Sequence, residues 1–122
     1  MTTTIPTKPL YKRGDIVLVL FPNSDLQTAK TRPALVVQAD ALESGLAQVI
    51  VAMITSRVFR AAHPSRVLVT VDSFEGAQSG LLSDSVVMTD NLATIMDAAV
   101  TRAIGFLPME AVDKALRHTL GL

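Results

Sequence analysis

Apolar positions along the chain fall into short runs separated by polar turns, which is the spacing of strands. Residues 16–21 form an unbroken run of Ile, Val, Leu and Phe and read as a buried strand. Residues 22–31 are polar, with Pro22, Asn23, Ser24 and Asp25 as turn formers, and read as a loop. The loop ends at Arg32-Pro33, and residues 34–38 read as a second strand opened by the proline, since a first strand residue needs no ladder donor. Residues 40–45 connect to a third, almost wholly apolar strand over 48–55. A basic loop over 57–65 follows. In residues 66–72, Val67, Val69 and Val71 alternate with Arg66, Leu68, Thr70 and Asp72, giving a strand with one wetter face. Residues 73–83 hold Gly76 and Gly80 among serines and read as a turn-rich loop. Residues 84–95 read as a strand, a kink near Asp90-Asn91 and a short second strand, and residues 101–105 fit a last one.

Helical spacing is clearest at the end of the chain. Met109, Val112, Leu116 and Leu120 fall on one face after Pro108, which suits a first helical turn. Glu110 near the start, and Arg117 and His118 near the end, complement the helix dipole. Gly121 is a natural stop, whereas Leu107 offers no side-chain cap. Many strands followed by one helix predict a mostly β (α+β) domain: a small antiparallel β-barrel closed by a C-terminal α-helix. Residues 1–12, polar and carrying Pro6 and Pro9, read as a flexible N-terminal arm ahead of a single domain over 13–122.

Composition narrows the chemistry more than the fold. The chain of 122 residues is long enough for one domain with its own core, and 49% hydrophobic with 18% charged residues excludes a disordered chain. The absence of cysteine removes disulfides, thiolate metal sites and a cysteine nucleophile. The N-terminal stretch lacks the apolar core of a signal peptide, and no apolar run approaches bilayer-spanning length. A cytoplasmic protein with no membrane contact is the expectation. A mean hydropathy of +0.40 in so small a chain predicts a homodimer that covers part of its apolar surface.

Charge balances at 11 basic against 11 acidic residues, so the total says nothing about nucleic acid. The distribution is more informative. Arg57, Arg60, His63 and Arg66 fall in one segment free of acids, and such a segment can meet phosphates or simply face solvent. Residues 84–113 carry Asp84, Asp90, Asp97, Glu110 and Asp113 against Arg102 alone.

No phosphate-binding glycine loop and no paired-histidine zinc motif is present. His63 and His118 are the only histidines; an acid–base pair acting on RNA is conceivable, and two surface residues are the commoner outcome. What remains is polar residues at strand ends: Arg32 before Pro33, Thr55-Ser56 after an apolar strand, and Asp84, Ser85 and Asp90 around the strand centred on Val87. Strand ends form rims, where sites are commonly built, but each residue also has an ordinary explanation as a turn or surface group.

Taken together, these segments resemble the MazF/PemK family of toxins from toxin–antitoxin pairs. The resemblance runs through Arg13-Gly14-Asp15-Ile16-Val17, Thr31-Arg32-Pro33-Ala34-Leu35, Ala52-Met53-Ile54-Thr55-Ser56, Gly80-Leu81-Leu82-Ser83-Asp84-Ser85 with Asp90-Asn91-Leu92, and the closing Leu120-Gly121-Leu122. It spans about residues 11–122. It implies an SH3-like barrel with a terminal helix, usually a symmetric homodimer, and a cognate antitoxin whose tail occludes the active groove. The implied activity is endoribonuclease cleavage of single-stranded RNA, commonly messenger RNA at a short sequence, with no cofactor and no metal. Asn91 and Ala93 stand where many members have Gln and then Arg or Lys, and the loop over 22–31 also departs from the usual pattern, which bears on target sequence.

On this resemblance the catalytic residues are Arg32, Thr55, Ser56 and Asp90. Arg32 would bind phosphate bidentately and stabilise the phosphorane, Thr55 with Ser56 would donate to a non-bridging oxygen, and Asp90 would be the secondary candidate for base, ahead of His63. Arg57, Arg60, His63, Arg66 and Asn91 are the expected RNA-binding residues. The rival readings are a toxin of a related barrel family that poisons DNA gyrase by binding, a nuclease-dead family member, and a peptide-binding SH3-like module. The last is disfavoured by 4% aromatic content.

Overall fold

The computed structural model describes residues 10–22 and 25–122, without the Pro22 side chain. The predicted arm lies, for residues 1–9, outside the described residues, as do Asn23 and Ser24 of the first loop. The strands are β1 (Asp15–Pro22), β2 (Ala29–Val36), β3 (Gln48–Thr55), β4 (Arg66–Val69), β5 (Ser85–Met96) and β6 (Val100–Phe106). The helices are α1 (Phe74–Ser79) and α2 (Glu110–Leu120), with 3-10 turns at Val58–Ala61 and Asp97–Ala99. The strands form one antiparallel sheet of six in the order β4-β5-β3-β2-β1-β6.

Both faces of the central strands are buried, which is why their sequences are unbroken apolar runs. On one face Ile16, Leu35, Ala52, Ile54 and Val87 pack with Leu107 and Val112, bringing α2 against the sheet. On the other, Val17, Val19, Ala34, Val36, Val51 and Met53 form a second cluster with Val100. Each fully buried valine, leucine or isoleucine among them contributes about 1.5–3 kcal/mol.

The hydrogen-bonded sheet is open, with β4 and β6 at its edges, in place of the predicted closure by the terminal helix. The gap is approached instead by α1, in the segment predicted as a loop. Ser73 caps α1 through its Oγ, which accepts the Gly76 N–H at 3.0 Å, and Gly80 ends it at φ 73°. A Cβ on Gly80 would lie 2.1 Å from the Ile104 carbonyl oxygen, and one on Gly105 would lie 2.3 Å from the Ser79 carbonyl carbon. Only glycine lets the end of α1 lie backbone to backbone on β6.

Two strand predictions need correction. First, β2 starts at Ala29, so Pro33 sits inside it, paired with Leu18 of β1. The β2–β3 ladder explains how this is possible. Val37 N–H donates to Ile50 O at 3.1 Å, and the alternation of antiparallel bonding makes Leu35 and then residue 33 the next donors towards β3. Proline has no N–H, and the ladder stops at the Ala34–Met53 pair. Beyond it β2 continues on β1 alone. Second, β4 ends at Val69, short of Asp72.

The kink near Asp90-Asn91 is present as a bulge inside one strand. Ala52 pairs with Leu92 but Met53 pairs with Met88, leaving Thr89, Asp90 and Asn91 as extra residues. Thr89 is buried and donates from Oγ1 to Ser65 O at 2.6 Å, tying the bulge to the loop before β4. The terminal helix forms, but two residues later than predicted: it starts at Glu110 with Met109, not Leu107, in the cap position and Pro108 outside it. No side chain caps its start, and Gly121 at φ 70° donates its N–H to Arg117 O.

Candidate active site

The site begins where the β2–β3 ladder ends. Extending the Ala34–Met53 register by two places sets Arg32 opposite Thr55, and by three sets Thr31 opposite Ser56. The two strands have parted there, so these side chains flank an opening instead of a paired sheet. A cleft of about 550 Å³ occupies it, lined by Lys30, Arg32, Thr55, Ser56, Arg57 and Arg102 among others. A second cleft of about 340 Å³ adjoins it and shares Arg32, Ile54, Thr55 and Arg57. Arg60 and Asn91 line that second cleft over the apolar side chains of Phe21, Met53 and Met88.

Among the described residues neither cleft is lined by a carboxylate or an imidazole. Lys30, Arg32, Arg57, Arg60 and Arg102 line these openings and make no salt bridge among the described residues; Arg60 lies with Nη1 3.9 Å from Met88 Sδ. Thr55 is oriented by its neighbour: its Oγ1 accepts the Arg57 N–H at 3.2 Å, which leaves the hydroxyl hydrogen for another acceptor. No group of three or more His, Asp or Glu side chains among the described residues could hold a metal ion.

The predicted site residues divide into two sets. Arg32, Thr55, Ser56 and Arg57 come together, with Arg60 and Asn91 beside them. Asp90, His63 and Arg66 do not line either cleft. Arg66 donates from Nη2 to Asp90 Oδ2 at 2.7 Å and from Nε to Oδ1 at 3.3 Å, and from Nη1 to Arg60 O at 3.2 Å. Hydrogen bonds from Arg66 hold the Asp90 carboxyl below its ordinary range, against a smaller opposing effect of burial. A carboxylate bound on both oxygens and kept from protonation is a weak proton acceptor. His63 packs edge-on to His118 with ring centroids 6.0 Å apart, and its Nδ1 accepts the Ser65 N–H at 3.1 Å. Asp84 accepts the Val71 N–H at 2.9 Å and serves as a turn cap.

Two cleft residues carry no signal in the sequence that singles them out. Lys30 lies two residues before Arg32, but that stretch read as loop, and only its strand geometry sets both on one face. Arg102 was visible as the lone cation of an acidic stretch, yet nothing local indicated that β6 would lie beside β1.

The model for the PemK-like, MazF-like toxin of type II toxin–antitoxin systems matches residues 12–120. Endoribonuclease MazF6 of Mycobacterium tuberculosis is 38% identical over 107 residues, covering 84% of this chain and 90% of the relative. The structure of Mycobacterium tuberculosis toxin MazF-mt6 superposes with a TM-score of 0.67 at 29% identity, covering 88% of this chain and 97% of that one. An endoribonuclease from a mycobacterial species, solved in complex with its cognate antitoxin, has the same fold, with a TM-score of 0.69 at 21% identity over 92% of this chain and 96% of that one. With a family match over nearly all its length, the chain belongs to the PemK-like, MazF-like toxins of type II toxin–antitoxin systems.

Proposed function

We propose that this toxin is a metal-independent endoribonuclease that cuts single-stranded RNA, messenger RNA in the cell, at a short sequence. One observation carries the reading: Arg32 and Thr55 line the same cationic cleft, without carboxylates among the described residues, just beyond the end of the β2–β3 ladder. The endoribonuclease relatives support it, and they lend nothing to the gyrase-binding alternative.

In the proposed reaction the RNA 2′-oxygen attacks the adjacent phosphorus. The bond to the 5′-oxygen breaks, and a 2′,3′-cyclic phosphate and a 5′-hydroxyl result. The 2′-hydroxyl proton leaves to water, and water returns one to the departing oxygen. The protein's part is electrostatic. Arg32 holds the two non-bridging oxygens bidentately, and the Thr55 hydroxyl, aimed by its bond from Arg57, donates to one of them as charge builds on the phosphorane. Ser56 is a further donor, and Arg57 and Arg60 hold the strand on either side. Asn91 contacts a base over the apolar floor of the second cleft. Asp90 acts through Arg66, holding the turn that presents Arg60, and His63 supports the same turn. A lining of cations and hydroxyls suits phosphate and is ill suited to a divalent ion, which needs oxygen ligands.

The same reading gives the sheet the curl of an SH3-like barrel within a domain over 13–122, preceded by the flexible arm. It makes the toxin a cytoplasmic homodimer whose cleft a cognate antitoxin occludes. Among the described residues no helix is long and apolar enough to cross a membrane.

Purified protein incubated with mixed-sequence RNA in excess EDTA, beside Arg32→Ala, tests the proposal. Cleavage by the wild type alone, with cyclic phosphate ends, is expected. Intact RNA with a folded wild-type dimer would move the assignment to a target-binding toxin.

A further inference from the structure

The 550 Å³ cleft extends past Arg32 to an end that takes no part in the cleavage step. Arg102 stands there on β6. It pairs with Leu18 of β1, which pairs in turn with Pro33 of β2, so Arg102 lies two strands from Pro33, about 10 Å at the usual strand spacing. Arg102, Leu18, Pro33 and Ile54 all line the cleft, and the first three form one row across the sheet. The opposite wall is the loop that leaves α1, and its Leu82 is 99% exposed. A leucine wholly in water beside unpaired cations gains nothing from the protein's own packing.

We propose that Arg102 and Leu82 form a nucleotide subsite one step along the RNA from the cleaved bond. Arg102 holds the neighbouring phosphate, and Leu82 packs on the face of the attached base. Three features carry this. Arg102 has no salt-bridge partner among the described residues, so its guanidinium is free for a phosphate. Leucine offers dispersion contact to a base but no hydrogen bond, so the subsite adds affinity without reading sequence. The spacing of its two walls is set: Gly80 lies against Ile104 and Gly105 against Ser79 at backbone contact, which locks the Leu82 loop to the strand carrying Arg102. The subsite lies on the β6 side of Arg32 and on the sheet face of Leu18, Pro33 and Ile54, while Arg60 and Asn91 lie on the β5 side over the opposite face at Phe21 and Met53, so the strand passes through the parted end of the β2–β3 ladder from one face to the other.

The inference rests on the cleft being an RNA site, and its test separates the two. A fluorescent single-stranded RNA with 2′-O-methyl groups throughout cannot be cut and reports binding alone. Arg102→Ala is expected to weaken its binding about tenfold and to lower the slope of log affinity against log salt by about one. Arg102→Lys restores the slope, and Leu82→Ser weakens binding with the slope unchanged. Lys114→Ala, on the exposed side of α2, is the control for overall charge. Unchanged affinity and slope in Arg102→Ala, or an equal loss in Lys114→Ala, overturns the subsite. If the wild type leaves ordinary RNA uncut while Arg102→Ala still weakens the methylated strand, the subsite stands and the nuclease reading fails. If ordinary RNA is cut and Arg102→Ala binds normally, the reverse holds.

Discussion

Arg66 and Asp90 form a two-point ion pair, with Nη2–Oδ2 at 2.7 Å and Nε–Oδ1 at 3.3 Å, and the remaining Arg66 nitrogen reaches the carbonyl of Arg60 at 3.2 Å. The pair joins the bulge of β5 to the turn that places Arg60 at the second cleft. Asp90 is depressed by its bonds from Arg66, so the pair contributes in full above the ordinary carboxyl value of 3.8. That contribution declines as pH falls through the lower native value. Asp90→Asn should therefore lower Tm by a few degrees at pH 7, and the gap from the wild type should close in strong acid. Thermal unfolding at a series of pH values checks this. RNA cleavage by Asp90→Asn should fall mainly through KM; a loss confined to kcat would instead return Asp90 to the role of base.

Arg32 is exposed and outside both apolar clusters, so removing it should leave the fold intact. Arg32→Ala is expected to lower kcat/KM at least about 10³-fold with unchanged Tm. Arg32→Lys should recover only a small part, since an ammonium cannot hold two phosphate oxygens in one plane. Full activity in the lysine variant would show that charge alone suffices.

Thr55→Val keeps the β-branched shape at the end of β3 and deletes the hydroxyl. A fall of about 10²-fold in kcat with little change in KM is expected, because the donor acts on charge that develops in the transition state. A change in KM alone would place Thr55 in ground-state binding.

Gly80 combines φ 73° with backbone contact to Ile104. Gly80→Ala is expected to cost at least about 2 kcal/mol by chemical denaturation, from left-handed strain and overpacking together. Gly45 has φ 76° with open space around it, so Gly45→Ala isolates the conformational part and should cost less.

Apolar runs in the sequence located β1 and β3 and the buried parts of β2 and β5, because burial on both sheet faces leaves such runs, and α2 showed as one apolar stripe; β6, exposed over most of its length, left only an ambiguous short segment. The stop of an apolar run made Thr55-Ser56 legible as a strand end, but Arg32 lies inside β2, and only the resemblance to the MazF/PemK family singles out the three together. Periodicity placed α1 in a loop, because six residues containing a glycine show no period and the helix rests on a cap and on contact with β6. It grouped Arg57, Arg60, His63 and Arg66 by adjacency, whereas a short turn sends the first two to the clefts and the others to partners. Arg102 reaches the cleft only through the β1–β6 pairing, a contact between distant parts of the chain with no local signature.

Pro33 has a consequence for how this toxin can change. The opening between β2 and β3 exists because one position withholds a hydrogen-bond donor from a ladder that the flanking strands could otherwise continue. Pro33→Val supplies that donor along with a residue that favours strands. The two strands can then zip together through the Arg32–Thr55 pair, giving a sturdier sheet and no cleft. Harmless alleles would then arise by repairing the fold and not only by damaging it, with every cation still in the sequence, and selection for toxicity would amount to selection against two further rungs of sheet.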